Sequence, residues 1–203
     1  MLKTILTAII LYASTALDLL VILMLLFSKY PGRNTRRSIY IGQYIGSLSL
    51  IGISLFFAFV LHYVPQKWLL GFLGLIPIAF AIKYLISDED EAAAVNEKLD
   101  QRRNKSLITT VAITTIASCG ADNIGLFVPY FVSLRLVALL VTLLIFIICI
   151  YLLVTLGEKF AHISFVKIFL ASYGNWIMAL IYIGIGAMVI WEGGTLQHFS
   201  TLF

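Results

Sequence analysis

Two segments, Ala13-Ser14-Thr15-Ala16-Leu17-Asp18 and Ala117-Ser118-Cys119-Gly120-Ala121-Asp122, repeat one pattern at an offset of 104 residues, and each ends on an aspartate deep inside a long apolar run. A carboxylate at bilayer depth costs roughly 2.5 to 3.5 kcal/mol even on insertion-based scales, so acids kept there bind or relay something. Two of them in register point to a transport site. The match extends to Ala8 with Ala112 and Ile9 with Ile113; in the other spans it is weak.

The composition sets the class. Hydrophobic residues make up 61% of the 203 and charged residues 12%, and the mean hydropathy is +1.02. These values exclude an ordinary soluble domain. About 20 residues of helix cross the roughly 30 Å hydrocarbon core. Six stretches qualify, near 2–27, 39–61, 68–86, 106–132, 134–156 and 173–191. The first is too long for a signal's apolar region, contains Asp18 and has no clear small-residue cleavage site, so it is expected to stay as a span. Cys119 and Cys149 both fall inside spans, which implies no disulfide framework.

Three spans precede a polar linker and three follow it, and an odd-numbered unit repeated in a membrane enters upside down the second time. The expected fold is an all-α integral membrane protein of six transmembrane helices, two inverted three-helix repeats over 1–86 and 106–203 joined by a cytoplasmic linker over 87–105. If the first, third and fifth loops share a side, that side holds eleven of the fourteen Lys and Arg residues and leaves only Lys3, Lys67 and Arg135 opposite. The positive-inside rule then puts both termini outside the cytoplasm. The basic loops thus report orientation, and no fold for binding nucleic acid accompanies them.

Within the linker, Asp88-Glu89-Asp90-Glu91 opens and Arg102-Arg103-Asn104-Lys105 closes a stretch rich in helix formers. Acid early and base late suits a short helix, and the acidic run reads as solvated surface. A segment from Gly157 to Ser172 has a helical pattern and is expected at the cytoplasmic interface. Trp68, Trp176 and Trp191 fall near span ends as interfacial anchors, and Lys83 can snorkel from the end of its span. His62, His162 and His198 are expected in loops or tails, without metal-ligand spacing.

Inverted repeats commonly place a substrate site near the midplane at their interface. Ser14, Thr15, Gly120 and Gly125 are small residues that permit close helix approach or local unwinding, and Pro129 is expected to kink the fourth span or serve a gate. Asp18 and Asp122 across a pseudo-two-fold axis would bind a divalent ion or a proton alternately. Asn123 adds a neutral oxygen, and Ser14, Thr15 and Ser118 add hydroxyls that also read as packing. Cys119 is a soft donor that would favour cadmium or zinc over magnesium or calcium if ionised; it also reads as a small buried residue. Gln43 is expected to bridge helices.

The stretches Ser14-Thr15-Ala16-Leu17-Asp18-Leu19-Leu20-Val21-Ile22-Leu23, Gly42-Gln43-Tyr44 and Gly120-Ala121-Asp122-Asn123-Ile124-Gly125 with Val128-Pro129 resemble the cadmium resistance transporter family of the lysine exporter superfamily. The resemblance implies a small bacterial inner-membrane exporter of heavy-metal cations; related families carry manganese or amino acids. Ala16 and Leu19 stand where the family pattern has Asn and a second acid, and Cys119 stands where it has Asn. Its site residues carry over to Asp18, Asp122 and Asn123.

No Gly-x-x-x-x-Gly-Lys-Ser/Thr element is present, so export would be secondary, with cytoplasmic metal displacing protons from the aspartates and outside protons displacing the metal. An intramembrane aspartyl protease would need Gly-x-Gly-Asp where Asp122 follows Cys119-Gly120-Ala121, so no enzyme is expected. No cofactor is expected beyond the transported cation, with cadmium first and manganese, zinc or an amino acid as alternatives. The expected partners are that metal, protons and the bilayer, and a homodimer is compatible with so small a bundle.

Overall fold

The computed structural model describes residues 2–30, 32–62, 72–86, 106–161 and 163–192. Among them every regular element is helical: α1 (Leu2–Lys29), α2 (Arg33–His62), a 3-10 turn over Phe72–Gly74 that leads into α3 (Leu75–Ile86), α4 (Leu107–Ser133), α5 (Leu136–Phe160) and α6 (Ser164–Glu192). Four of these, α1, α2, α4 and α5, are long and apolar enough to cross a membrane. The exposed residues Phe56, Phe59, Leu136, Leu140, Leu144 and Leu180 are large and apolar, as expected where lipid is the solvent.

Several expected boundaries move. α2 starts at Arg33 instead of Ile39, so Arg33, Arg36 and Arg37 belong to its opening turns and His62 to its last residue. Arg36 is tied to Glu158 of α5 at 2.8 Å, which extends the helix beyond its apolar part. No separate interfacial helix occupies Gly157 to Ser172. α5 continues to Phe160, its end closed by Ala161 N–H to the Gly157 carbonyl, and α6 begins at Ser164. Trp176 consequently stands in the interior of α6, exposed like Trp191. The linker 87–105, Trp68, His162 and His198 lie outside the described residues.

The helices pack in three main pairs, α2 with α4, α1 with α5 and α3 with α6. A methyl group built on Gly42 would touch Ile108 and Val111, and one on Gly46 would touch Ala112 and Thr115, so α2 and α4 run parallel. Tyr12 packs its ring at a tilt against Phe146, Gly157 abuts Leu23, and Ser28 donates to the Ala161 carbonyl, so α1 and α5 are parallel too. Gly74 meets Gly186 and Ile190 while Phe80 meets Tyr182, which makes α3 and α6 antiparallel.

α1 and α4, the helices that carry the aspartates, are the most enclosed of the four long apolar ones. Of their apolar windows 56% and 67% are buried, against 33% for α2 and 28% for α5. Apolar residues on all sides of a helix are expected where it is surrounded by protein or lipid alike. Ser14 and Thr15 of α1 and Thr114, Thr115, Asp122 and Asn123 of α4 are buried in the protein interior.

Candidate functional site: a polar seam inside the bundle

Residues four apart on a helix stack into one row. On α4 this places Thr114, Ser118 and Asp122 in one row and Thr115, Cys119 and Asn123 in the next. Asp122 is 6% exposed, Asn123 3% and Cys119 1%. The seam is thus a polar stripe about two turns long on the most enclosed helix.

α2 comes close enough to line it. A methyl on Gly42 would lie 2.7 Å from the Ile108 carbonyl oxygen, and one on Gly46 2.8 Å from Thr115 Cβ. Two glycines four apart let the backbones approach in this way. Between them Gln43 is fully buried. Thr115 Oγ1 donates to Gln43 Oε1 at 2.8 Å, and Gln43 Nε2 donates to Ser47 Oγ at 3.0 Å. Gln43 therefore bridges helices, as expected. Tyr12 brings a buried phenol from α1 towards Ser47, with no hydrogen bond of ordinary geometry at its hydroxyl.

On α1, Ser14 Oγ donates to the Leu11 carbonyl at 2.6 Å and Thr15 Oγ1 to the Tyr12 carbonyl at 3.1 Å. Such bonds satisfy a hydroxyl inside a continuous helix. Asn123 Nδ2 likewise donates to the Cys119 carbonyl at 2.7 Å, which leaves its amide oxygen out of that bond. Both helices run through their motifs without local unwinding. Carbonyls released by a broken helix are therefore not a feature of this conformation.

Two side-chain oxygens of α4 stand open instead. The hydroxyls of Ser118 and Thr114 are buried without a hydrogen-bond partner, one and two turns before Asp122. α4 also continues unbroken through Pro129, whose missing N–H deprives the Gly125 carbonyl of its i+4 donor. A methyl on Gly125 would lie 2.6 Å from Phe80 Cε2, so this residue is where α3 closes on α4.

Asp18 is partly buried on α1. The Tyr130 hydroxyl donates to the Thr4 carbonyl at 3.4 Å and Tyr12 lies near Cys119, so α1 and α4 run antiparallel. From that shared level, at 1.5 Å per residue, Asp18 lies about 21 Å along α1 and Asp122 about 12 Å back along α4. The two acids are staggered along the bundle by on the order of 10 Å. Asp18 is displaced towards the end where Ser28 meets Ala161, and Asp122 towards the opposite end. Among the described residues no three His, Cys, Asp or Glu side chains gather into a metal-holding group.

The chain matches the family model described as cadmium resistance transporter over residues 12–202. It belongs to the cadmium resistance transporter family. No curated protein and no solved structure gives a significant match. Membership makes the chain a transporter and not a catalyst. The match spans both aspartates and the whole polar seam. Sequence reading passed over Gly46, Ser47, Thr114 and Thr115 in this transporter, although the Gly42/Gly46 spacing and the Thr110, Thr114, Ser118 row were visible as four-residue repeats.

Proposed function

We propose that this cadmium resistance transporter exports a divalent heavy-metal cation, cadmium first, from a bacterial cytoplasm across the inner membrane in exchange for protons. The observation that carries the reading is the placement of Asp122 at 6% exposure beside Asn123 and Cys119 on the most enclosed span. A buried acid with neutral oxygens and a sulfur at hand is a site for a cation or a proton.

The donor set suits passage more than storage. Transport needs binding strong enough to admit the ion and weak enough to release it. Asp122, the Asn123 amide oxygen and the Ser118 hydroxyl supply one station, with Cys119 sulfur as the soft donor that favours cadmium. Asp18 with Ser14 and Thr15 supplies the other. Their stagger makes them stations in series, so the ion passes from Asp18 to Asp122 and each carboxylate takes up a proton as the metal leaves.

The full architecture belongs to the same proposal. Six spans in two inverted repeats, with the termini outside, predict that exchanging α1 with α4, α2 with α5 and α3 with α6 maps the bundle onto itself. The observed pairs support this: α2 with α4 exchanges into α5 with α1, and α3 with α6 exchanges into itself. The parallel and antiparallel senses of the three pairs also suit alternating spans. Uptake of cadmium, zinc and manganese by everted vesicles, with and without a proton gradient, tests the function; an amino acid moving in place of any metal would replace it.

A further inference from the structure

We infer that the α2–α5 seam, at the end of the bundle where α2 begins, is a binding site for an anionic phospholipid. Arg33, Arg36, Arg37, Tyr40, Ile41 and Tyr151 line a cavity of about 400 Å³ there. The cavity joins three guanidinium groups to a hydrocarbon-facing wall, which is the chemistry of a phosphate headgroup with its acyl chains attached.

The three arginines are not equivalent. Arg36 Nε bonds Glu158 at 2.8 Å, and its guanidinium lies 5.6 Å from the centre of the Tyr40 ring. The Tyr40 hydroxyl in turn donates to Glu158 Oε2 at 3.2 Å and shares a 3.1 Å hydrogen bond with Thr155 Oγ1. This network fixes one wall and consumes the acid. Arg33 and Arg37 are exposed and pair with no carboxylate among the described residues. Two further guanidinium groups beside a third that is held in place make a positive pocket, and arginine's fork matches phosphate oxygens.

Below the cations the seam is apolar. Ile41, Ile45, Ile148 and Leu152 are exposed along α2 and α5, while the Tyr44 hydroxyl reaches the Ile147 carbonyl at 3.3 Å and closes the seam between them. An exposed apolar strip leading away from the headgroup pocket suits an acyl chain. Free phosphate would use only the upper part. A structural role for the arginines as orientation signals requires no pocket and no apolar continuation.

The test is native mass spectrometry of the full-length protein in detergent, titrated with phosphatidylglycerol or phosphatidylcholine of identical chains. The wild type is expected to retain phosphatidylglycerol with roughly tenfold preference. The double substitution Arg33→Gln with Arg37→Gln removes the preference, Arg135→Gln at the turn between α4 and α5 keeps it, and millimolar inorganic phosphate does not displace the lipid. Equal retention of both lipids by the wild type overturns the inference, and this arm needs no variant to fold. Retained preference in the folded double variant overturns it as well. Displacement by inorganic phosphate alone would assign the pocket to the free anion.

Discussion

Thr115 of α4 donates its hydroxyl hydrogen to the Gln43 side-chain oxygen of α2 across 2.8 Å, with both residues fully buried. The bond lies between the glycines that bring the two backbones together. It ties α2 to the polar seam of α4, the helix that carries Asp122. The seam between α1 and α5 is aromatic instead, with Tyr12 against Phe146 at 5.2 Å between ring centres. The two seams thus have different chemistry, and the polar one adjoins the candidate site.

A double-mutant cycle measures this tie. Gln43→Leu and Thr115→Val should each destabilise the protein, and the pair should show a coupling of about 0.6 and up to about 1.7 kcal/mol, the range for hydrogen bonds between membrane helices. Reversible unfolding in mixed micelles reads it. Strict additivity would mean that the bond contributes nothing beyond packing.

Close approach at Gly42 makes a second prediction. Gly42→Leu forces a side chain into the Ile108 carbonyl and Val111 and should cost about 1–3 kcal/mol through overpacking. Gly52 has open space at the same range, so Gly52→Ala should be neutral or stabilising by up to about 1 kcal/mol, because it removes a helix-interior glycine. The thermal unfolding midpoint should fall for Gly42→Leu and hold or rise for Gly52→Ala.

Ser118 separates folding from function. Its hydroxyl is buried and unpartnered, and such a group costs about 1–3 kcal/mol in protein interiors. Ser118→Ala should therefore hold or raise the melting temperature. As a ligand beside Asp122 it should also lower the metal transport rate several-fold. Unchanged transport in the stable variant would remove Ser118 from the ion path.

The stagger of the aspartates predicts a divided phenotype. In purified protein, Asp18→Asn should leave one metal-binding event and Asp122→Asn another, each weaker than in the wild type, while either substitution abolishes transport. Isothermal titration with cadmium distinguishes this from a shared site, for which either single substitution would remove binding altogether.

Much of this was legible in the sequence because it depends on local rules. The all-helical class follows from apolar length, and α1 and α4 end within about two residues of their expected limits, since their predominantly apolar runs stop at Ser28-Lys29 and between Ser106 and Ser133. α2 and α6 exceed their expected limits for different reasons: Arg33 to Arg37 extend α2 past its apolar part, which hydropathy does not record, whereas the largely apolar Ser164 to Ser172, expected as part of a separate interfacial segment, is the first part of α6. The site was legible as residue types but not as geometry. Asp18, Asp122 and Asn123 stand out as polar groups in apolar runs. The self-bonded state of Ser14 and Thr15, and the axial offset between the acids, depend on packing between helices far apart in the chain.

Metal uptake by everted vesicles containing the purified protein, wild type against Asp122→Asn, tests the central claim most directly. The account predicts cadmium accumulation that needs a proton gradient and falls at least tenfold in the variant, about 1.4 kcal/mol or more of transition-state free energy. Gradient-independent accumulation, or equal accumulation by a folded Asp122→Asn protein, would contradict it.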